Sequence, residues 1–223
     1  MSKIVQVAEL SIYDEEDEAI LENLSFNLER GKMARLSGLT ERQYDVLFHV
    51  LTGEISPDSG QVVLSNRNVV RLSRNKRKKM LRDEVSFLPK DFTLPGEKTA
   101  LQSLQFKQEI TGPVRDPDEQ LEETLQLLEL TGEGKRAKKF DSLMRVKTAL
   151  ALAIINQPEV LICYRSFSAL NSSEVSSVIE VLSKLNEQKN LTILLLTDDL
   201  SDSYKSINVI ESNLDSRVVG TEQ

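Results

Sequence analysis

An α/β fold with a mainly parallel core sheet and an inserted helical subdomain is predicted for this chain by three observations. Val160-Leu161-Ile162-Cys163 and Ile193-Leu194-Leu195-Leu196 are short, wholly apolar runs, as strands buried on both faces must be. Helical patterns alternate with these runs, which points to parallel strands joined by helical crossovers. The middle of the chain, Ala100 to Gly112 and Asp118 to Leu130, is polar and helical, so it is expected to form a subdomain set into that core.

Composition bounds the rest. With 223 residues against a prior of ~150 per domain, one domain with an appended subdomain is expected. A chain of this length buries about 70% of its unfolded surface, enough for a true core. The 39% hydrophobic and 28% charged residues, with nine Gly and six Pro, exclude collagen-like, low-complexity and disordered classes. A single Cys excludes a disulfide framework and a Cys-based metal cluster. His49, the one histidine, removes His-ligated metal sites and His-based triads. The longest apolar run, Ala149 to Ile155, falls far short of the ~20 residues a membrane-spanning helix needs. No basic-then-apolar secretory leader opens the chain. A soluble protein of a reducing compartment is expected, one that touches a membrane only from its face.

Taken in order, Ile4-Val5-Gln6-Val7, Leu24-Ser25-Phe26-Asn27-Leu28-Glu29, Met33-Ala34-Arg35-Leu36 and Gln61-Val62-Val63-Leu64 have the patterning of short, half-buried strands. Arg30-Gly31-Lys32 and Ser56-Pro57-Asp58-Ser59-Gly60 are the turns between them. A helix is expected from about Gln43 to Leu51, stopped by Gly53. In the middle, Leu121, Leu125 and Leu128 keep the 3.6-residue period behind an acidic first turn that suits the helix dipole. Thr148 to Asn156 and Ser173 to Leu185 are the expected helices beside the two buried strands.

Charge is unevenly spread. Arg71, Arg74, Lys76, Arg77, Lys78, Lys79 and Arg82 form a basic run without an acid; taking these seven from the 28 basic residues leaves 21 against 35 acidic ones, a balance of −14. Such a run is either a solvated helix face or a contact for anionic lipid headgroups or an acidic partner, where each cation near a membrane is worth ~1 kcal/mol. Without interleaved aromatics to stack bases, nucleic-acid binding is not expected.

Tyr13, Leu21-Glu22-Asn23-Leu24-Ser25-Phe26, Gly31, Gly38, Leu51-Thr52-Gly53, Pro57-Asp58-Ser59-Gly60 and the helix Ala149 to Pro158 occur in an order and spacing that together are specific. In that order the chain resembles the ATP-binding cassette of ABC transporters, a P-loop NTPase-like fold, from about Ile4 to Val219. Leu81-Arg82, Phe87 to Phe92 and the chain length are closest in flavour to the group containing the cell-division protein FtsE and the lipoprotein-release protein LolD. The resemblance implies a single domain over 1–223. A core with an N-terminal antiparallel β subdomain would occupy about 1–92 and 145–223, and a helical insert about 93–144.

The same resemblance says where the chemistry should sit, and the residues there depart from it. In the phosphate loop G-x-x-x-x-G-K-[ST], glycines let backbone amides wrap the phosphates, Lys reaches the β/γ oxygens and Ser/Thr holds Mg²⁺. Here the stretch is Gly38-Leu39-Thr40-Glu41-Arg42-Gln43-Tyr44-Asp45. Gly38 survives, whereas Gln43 replaces the second glycine, Tyr44 the Lys and Asp45 the hydroxyl. Losing one charged hydrogen bond costs about 1.5–3 kcal/mol, and Glu41 and Asp45 add negative charge where a triphosphate would lie. The lid-coupling Gln is Lys90. The LSGGE signature is Phe140-Asp141-Ser142-Leu143-Met144. The Mg²⁺-supporting Asp is Tyr164, the water-activating Glu is Arg165, the D-loop Asp is Asn171 and the switch His is Asp198. Tyr13 aligns with the aromatic that stacks on adenine.

Strands and turns persist while the stations of the reaction change, so the expectation is a pseudo-ATPase with no catalytic residue, no metal and no required cofactor. It would dock on a transmembrane permease-like subunit, as a cytoplasmic protein peripheral to the inner membrane face. Docking falls on Lys90, Asp91, Phe92, Leu94 and Pro95, unless Phe92 and Leu94 simply pack the insert on the core. Family practice implies a dimer, a homodimer being one form of it, and even beside an intact cassette both composite sites would be damaged. The alternative is a cassette that still binds ATP and Mg²⁺ through Arg42, Lys90 or Arg165, cations suited to phosphoryl charge. A further alternative is a cleft holding another small molecule, which neither Cys163 nor His49 specifically supports.

Overall fold

Alternation along the first strands decides the N-terminal layer. In β1 (Lys3–Tyr13) and β2 (Ala19–Glu29), Val5, Val7, Leu10, Leu21, Leu24 and Phe26 are buried while Lys3, Glu22, Asn23 and Asn27 are exposed. The two pair antiparallel, with register shifts around Val7 to Leu10. The structure is a computed structural model that describes residues 2–112, 115–132, 134–197, 202–205 and 207–212. With β4 (Ser59–Leu64) and the two-residue β5 (Arg67–Asn68), β1 and β2 form a four-stranded antiparallel sheet in the order β2-β1-β4-β5.

The second sheet contains β3 (Met33–Ser37), β6 (Val85–Leu88), β7 (Val160–Tyr164), β8 (Thr192–Leu196) and β9 (Asn208–Glu211), in the order β6-β7-β8-β3-β9, each pair parallel. Every residue of β7 and β8 is buried, as their unbroken apolar runs require. Their side chains divide by parity. Leu161, Cys163, Ile193 and Leu195 enter one core, and Val160, Ile162, Tyr164, Leu194 and Leu196 enter the other.

The helices cover both faces. α1 (Glu41–Leu51) packs Tyr44, Leu47, Phe48, Val50 and Leu51 with the antiparallel sheet. It starts two residues before the expected Gln43, because Thr40 and Gln43 form a capping box that holds the earlier turn. The expected stop holds: Gly53 follows the cap residue Thr52 with φ +73°, and a Cβ there would lie 2.7 Å from Arg77 Nε.

That contact changes the reading of the basic run. α2 (Arg74–Asp83) lies against the edge strand β6, with Met80 its buried residue. The Arg77 guanidinium turns inward and donates to the carbonyls of Gly53 and Leu72. Arg77 therefore braces α2 on the end of α1 and is withdrawn from the expected lipid-facing set.

The helical insert contains α3 (Ala100–Thr111) and α4 (Pro117–Leu127), followed by α5 (Ser142–Ile154) and, after β7, α6 (Ser172–Lys189). α4 ends before the expected Leu130, and Glu129 sits at φ +56° in the turn beyond it. α5 begins at Ser142, ahead of the expected Thr148, because Asp141 caps it; the expected insert boundary at 144 therefore falls within its first turn. Buried Gln120 donates to the Ile155 carbonyl and accepts from Gln108 Nε2 at 3.3 Å, tying the insert to the end of α5. Phe92 and Leu94 are partly buried against the same core, so the packing role foreseen for them is realised. No described helix is long and apolar enough to cross a membrane.

Candidate functional site

The carboxyl ends of β3, β6 and β7 meet the start of α1, and most of the expected site residues converge there. The chain leaves β3 through Gly38, whose φ of +85° and whose close approach to Ser212, 2.9 Å from an added Cβ, demand glycine. Ser212 fastens this turn by donating its hydroxyl to the Gly38 carbonyl at 3.1 Å and its amide to the Ser37 carbonyl at 3.2 Å.

Two residues on, two of the loop's backbone amides are already satisfied by side chains. Gln43 N donates to Thr40 Oγ1 at 3.3 Å and Thr40 N to Gln43 Oε1 at 2.8 Å. Gln43 Nε2 then reaches the Ile20 carbonyl at 3.0 Å, stitching the loop to β2. Tyr44 is fully buried, and its hydroxyl donates to the carbonyls of Leu36 and Thr197 at 2.9 and 3.2 Å. An aromatic ring thus fills the place where the resemblance expects a phosphate-binding ammonium.

Above Tyr44 lies a mixed charge cluster. Arg165 Nη1 is 2.6 Å from Glu41 Oε1, and Lys90 Nζ is 3.8 Å from the same oxygen and 3.6 Å from Asp45 Oδ1. Tyr164 OH donates to Asp45 Oδ1 at 3.1 Å, and Lys90 Nζ stands 5.5 Å from the Tyr164 ring centroid. The Lys90 ammonium lies above its usual range, through Tyr164 first, where that phenol ionises in alkali, and then through the carboxylates of Asp45 and Glu41. Burial, then Asp45, raises the Tyr164 phenol, which stays a neutral donor. Phe48 supports Tyr164 with ring centroids 5.1 Å apart. Arg165 takes a left-handed conformation at φ +44° and donates its amide to the Leu196 carbonyl at 3.0 Å.

The outer rim is paired as well. Arg42 Nη2 donates to Asp14 Oδ2 at 3.0 Å, and Asp14 also accepts the Glu18 and Glu16 amides, so its carboxyl lies below the usual range, chiefly through the Glu18 amide and then Arg42. Tyr13, next to it, is exposed at the end of β1 with its amide donating to Asp58 Oδ2 at 2.9 Å.

The remaining expected residues stand apart as helix caps. Asp141 accepts from Met144 N at 2.8 Å ahead of Ser142, and Asn171 forms a capping box with Glu174 on α6. Asp198 lies outside the described residues. Along the docking segment, Asp91 and Pro95 are exposed, Lys90 joins the charge cluster, and Phe92 and Leu94 turn toward the core. Two participants escape motif matching: Asp14, which neutralises Arg42, and Ser166, whose hydroxyl donates to the Leu88 carbonyl at 2.5 Å and joins the ends of β6 and β7. Asp14 next to Tyr13 was the available clue; Ser166 carried none.

Comparison with known proteins agrees with this architecture. The family described as ABC transporter matches residues 21–163. The chain is 27% identical over 204 residues to the methionine import ATP-binding protein MetN 2 of Staphylococcus epidermidis, covering 90% of this chain and 59% of that protein. It is 26% identical over 202 residues to MetN of Geobacillus kaustophilus, covering 90% and 57%. The chain thus spans less than two thirds of the length of these relatives. Among solved structures, CbiO1 of Clostridium perfringens, part of the ABC transporter complex CbiONQ, superposes with a TM-score of 0.83 at 18% identity over 95% of this chain and 85% of that one. The cassette MJ0796, solved as a dimer, superposes at 0.78 with 20% identity over 93% of each chain.

Proposed function

The chain belongs to the ABC transporter family, and from that premise we propose that it is a catalytically degenerate ATP-binding-cassette subunit, a pseudo-ATPase that positions or regulates a membrane partner. The observation that carries this reading is Tyr44, buried and hydrogen-bonded to two carbonyls in the place of the phosphate-binding Lys. The surrounding residues do not fit a magnesium triphosphate. The Thr40 and Gln43 amides are bonded to side chains, Glu41 and Asp45 bring two carboxylates to the site, and Lys90 and Arg165 face those carboxylates. An anion would have to displace these pairs without the glycine-rich cradle that favours it.

The partner in this reading is a transmembrane permease-like subunit of an FtsEX- or LolCDE-like complex, with the protein cytoplasmic and peripheral on the inner membrane face. The exposed Asp91 and Pro95 are the docking contacts, and Phe92 and Leu94 hold the segment's shape. A homodimer, as in the solved MJ0796, would require a protein interface that does not depend on bound nucleotide.

Calorimetric titration with ATP, with and without Mg²⁺, tests the reading. No binding heat at millimolar nucleotide is expected. Micromolar binding would overturn it in favour of a cassette that binds, and slowly hydrolyses, ATP through Arg42, Lys90 or Arg165.

A further inference from the structure

Helix α2 breaks three local rules at once. Its N-cap residue Ser73 makes no side-chain capping bond. Its first turn holds Arg74 and Lys76 and no acid, so like charge meets the positive end of the helix dipole. Arg74, Lys78 and Arg82 follow one another at i, i+4, a spacing at which like charges repel. Asp83, which faces Arg82 and Lys79, compensates only the last turn, and rules broken together in the turns before it mark a surface shaped by something outside the chain.

The seven basic residues do not behave alike. Arg77 is turned inward on the Gly53 carbonyl, and Arg82 is paired with Asp83 at 2.6 Å. Arg71, Arg74, Lys76, Lys78 and Lys79 are exposed, and among the described residues none of them has a side-chain hydrogen bond or close ion pair, the one acid that feels any of them being Asp83, near Lys79. The only apolar residues of α2, Met80 and Leu81, face the core. The patch therefore presents point charges and no apolar centre.

We infer that these five residues form an electrostatic contact for an anionic lipid surface. A protein partner would need a desolvated apolar or aromatic centre and a surface poor in Lys, and the patch has the opposite composition. Headgroup attraction needs only several cations held on one side of the molecule, each raising membrane partitioning about fivefold. The fold supplies that arrangement: α2 lies along β6, and β6 leads directly into Lys90 to Pro95. The inference rests on the proposed function only in that the surface is taken to be a membrane that also carries the partner.

Co-sedimentation of the full chain with phosphatidylcholine vesicles, with and without phosphatidylglycerol and with no permease present, tests it. Binding to the anionic vesicles alone, weakening as salt rises, is expected. The Lys76→Glu/Lys78→Glu/Lys79→Glu variant should lose at least about 100-fold in partitioning, with its circular dichroism and melting temperature unchanged. Equal binding to both vesicle types, no binding at low salt, or an unaffected variant would overturn the inference. So would tighter binding to duplex DNA than to anionic vesicles at the same salt. Because no nucleotide or permease enters the assay, its failure leaves the pseudo-ATPase reading standing, and an active ATPase leaves this result standing.

Discussion

A buried phenol needs acceptors, and Tyr44 has two, the carbonyls of Leu36 and Thr197. Tyr44→Phe should keep the ring in place but leave those carbonyls without the hydroxyl, lowering stability by about 1–2 kcal/mol. Tyr44→Lys, which restores the family's residue type, would push an ammonium into a fully buried site. It should destabilise by several kcal/mol without creating nucleotide affinity. Urea unfolding and ATP titration of both variants check this; a Lys variant as stable as the parent and able to bind ATP would refute it. The replacement at 44 was legible in the sequence, because the loop can be read against a fixed spacing. The pairing of Glu41 with Arg165 and Lys90 was not, because it joins residues from the starts and ends of three separate elements. Only the folded sheet brings them within reach.

At the scale of elements, Asn171 and Asp141 separate structural from inherited roles. Each stands at a position that the resemblance gives to nucleotide chemistry, and each accepts backbone amides at a helix start. Asn171→Ala and Asp141→Ala should each cost about 1 kcal/mol of stability, and Asn171→Asp should cost little, since a carboxylate caps equally well. Thermal unfolding of the three variants measures this; alanine variants that melt with the parent would show that the caps contribute nothing. The elements with strong periodicity, β7, β8 and α6, were legible to within a few residues, because burial on both faces or on one stripe leaves an unambiguous pattern. The edge elements were not. β9 is mostly exposed and β5 has two residues; α2 was legible only as a basic helix face, with its single buried Met80 hidden among charges. An element that buries little writes little into its sequence.

In the molecule as a whole, the parallel sheet separates two apolar cores, one of which it shares with the antiparallel layer, and polar contacts at the rim add to that apolar tie between the sheets. Glu159 is such a tie. Its backbone bridges the strand ends, donating to the Glu84 carbonyl at 2.9 Å and accepting from Thr192 N at 3.0 Å. Its carboxylate accepts Arg30, at the end of β2, at 3.2 Å and the Ser65 hydroxyl, beyond β4, at 2.5 Å. Arg30, and after it Ser65, holds this carboxyl below the usual glutamate range. A carboxyl whose pKa is lowered on folding adds stability that is complete above the unfolded-state value and disappears as pH falls through the folded-state one. Both partners are partly exposed, so the charge contributes about 0.5 kcal/mol. Glu159→Gln, which keeps the shape and an acceptor for Ser65, should therefore unfold at lower urea than the parent near neutral pH, and the two curves should converge in acid. A difference that persists unchanged in acid would place the effect in packing, and the tie between the two sheets would then be one of shape, not of charge.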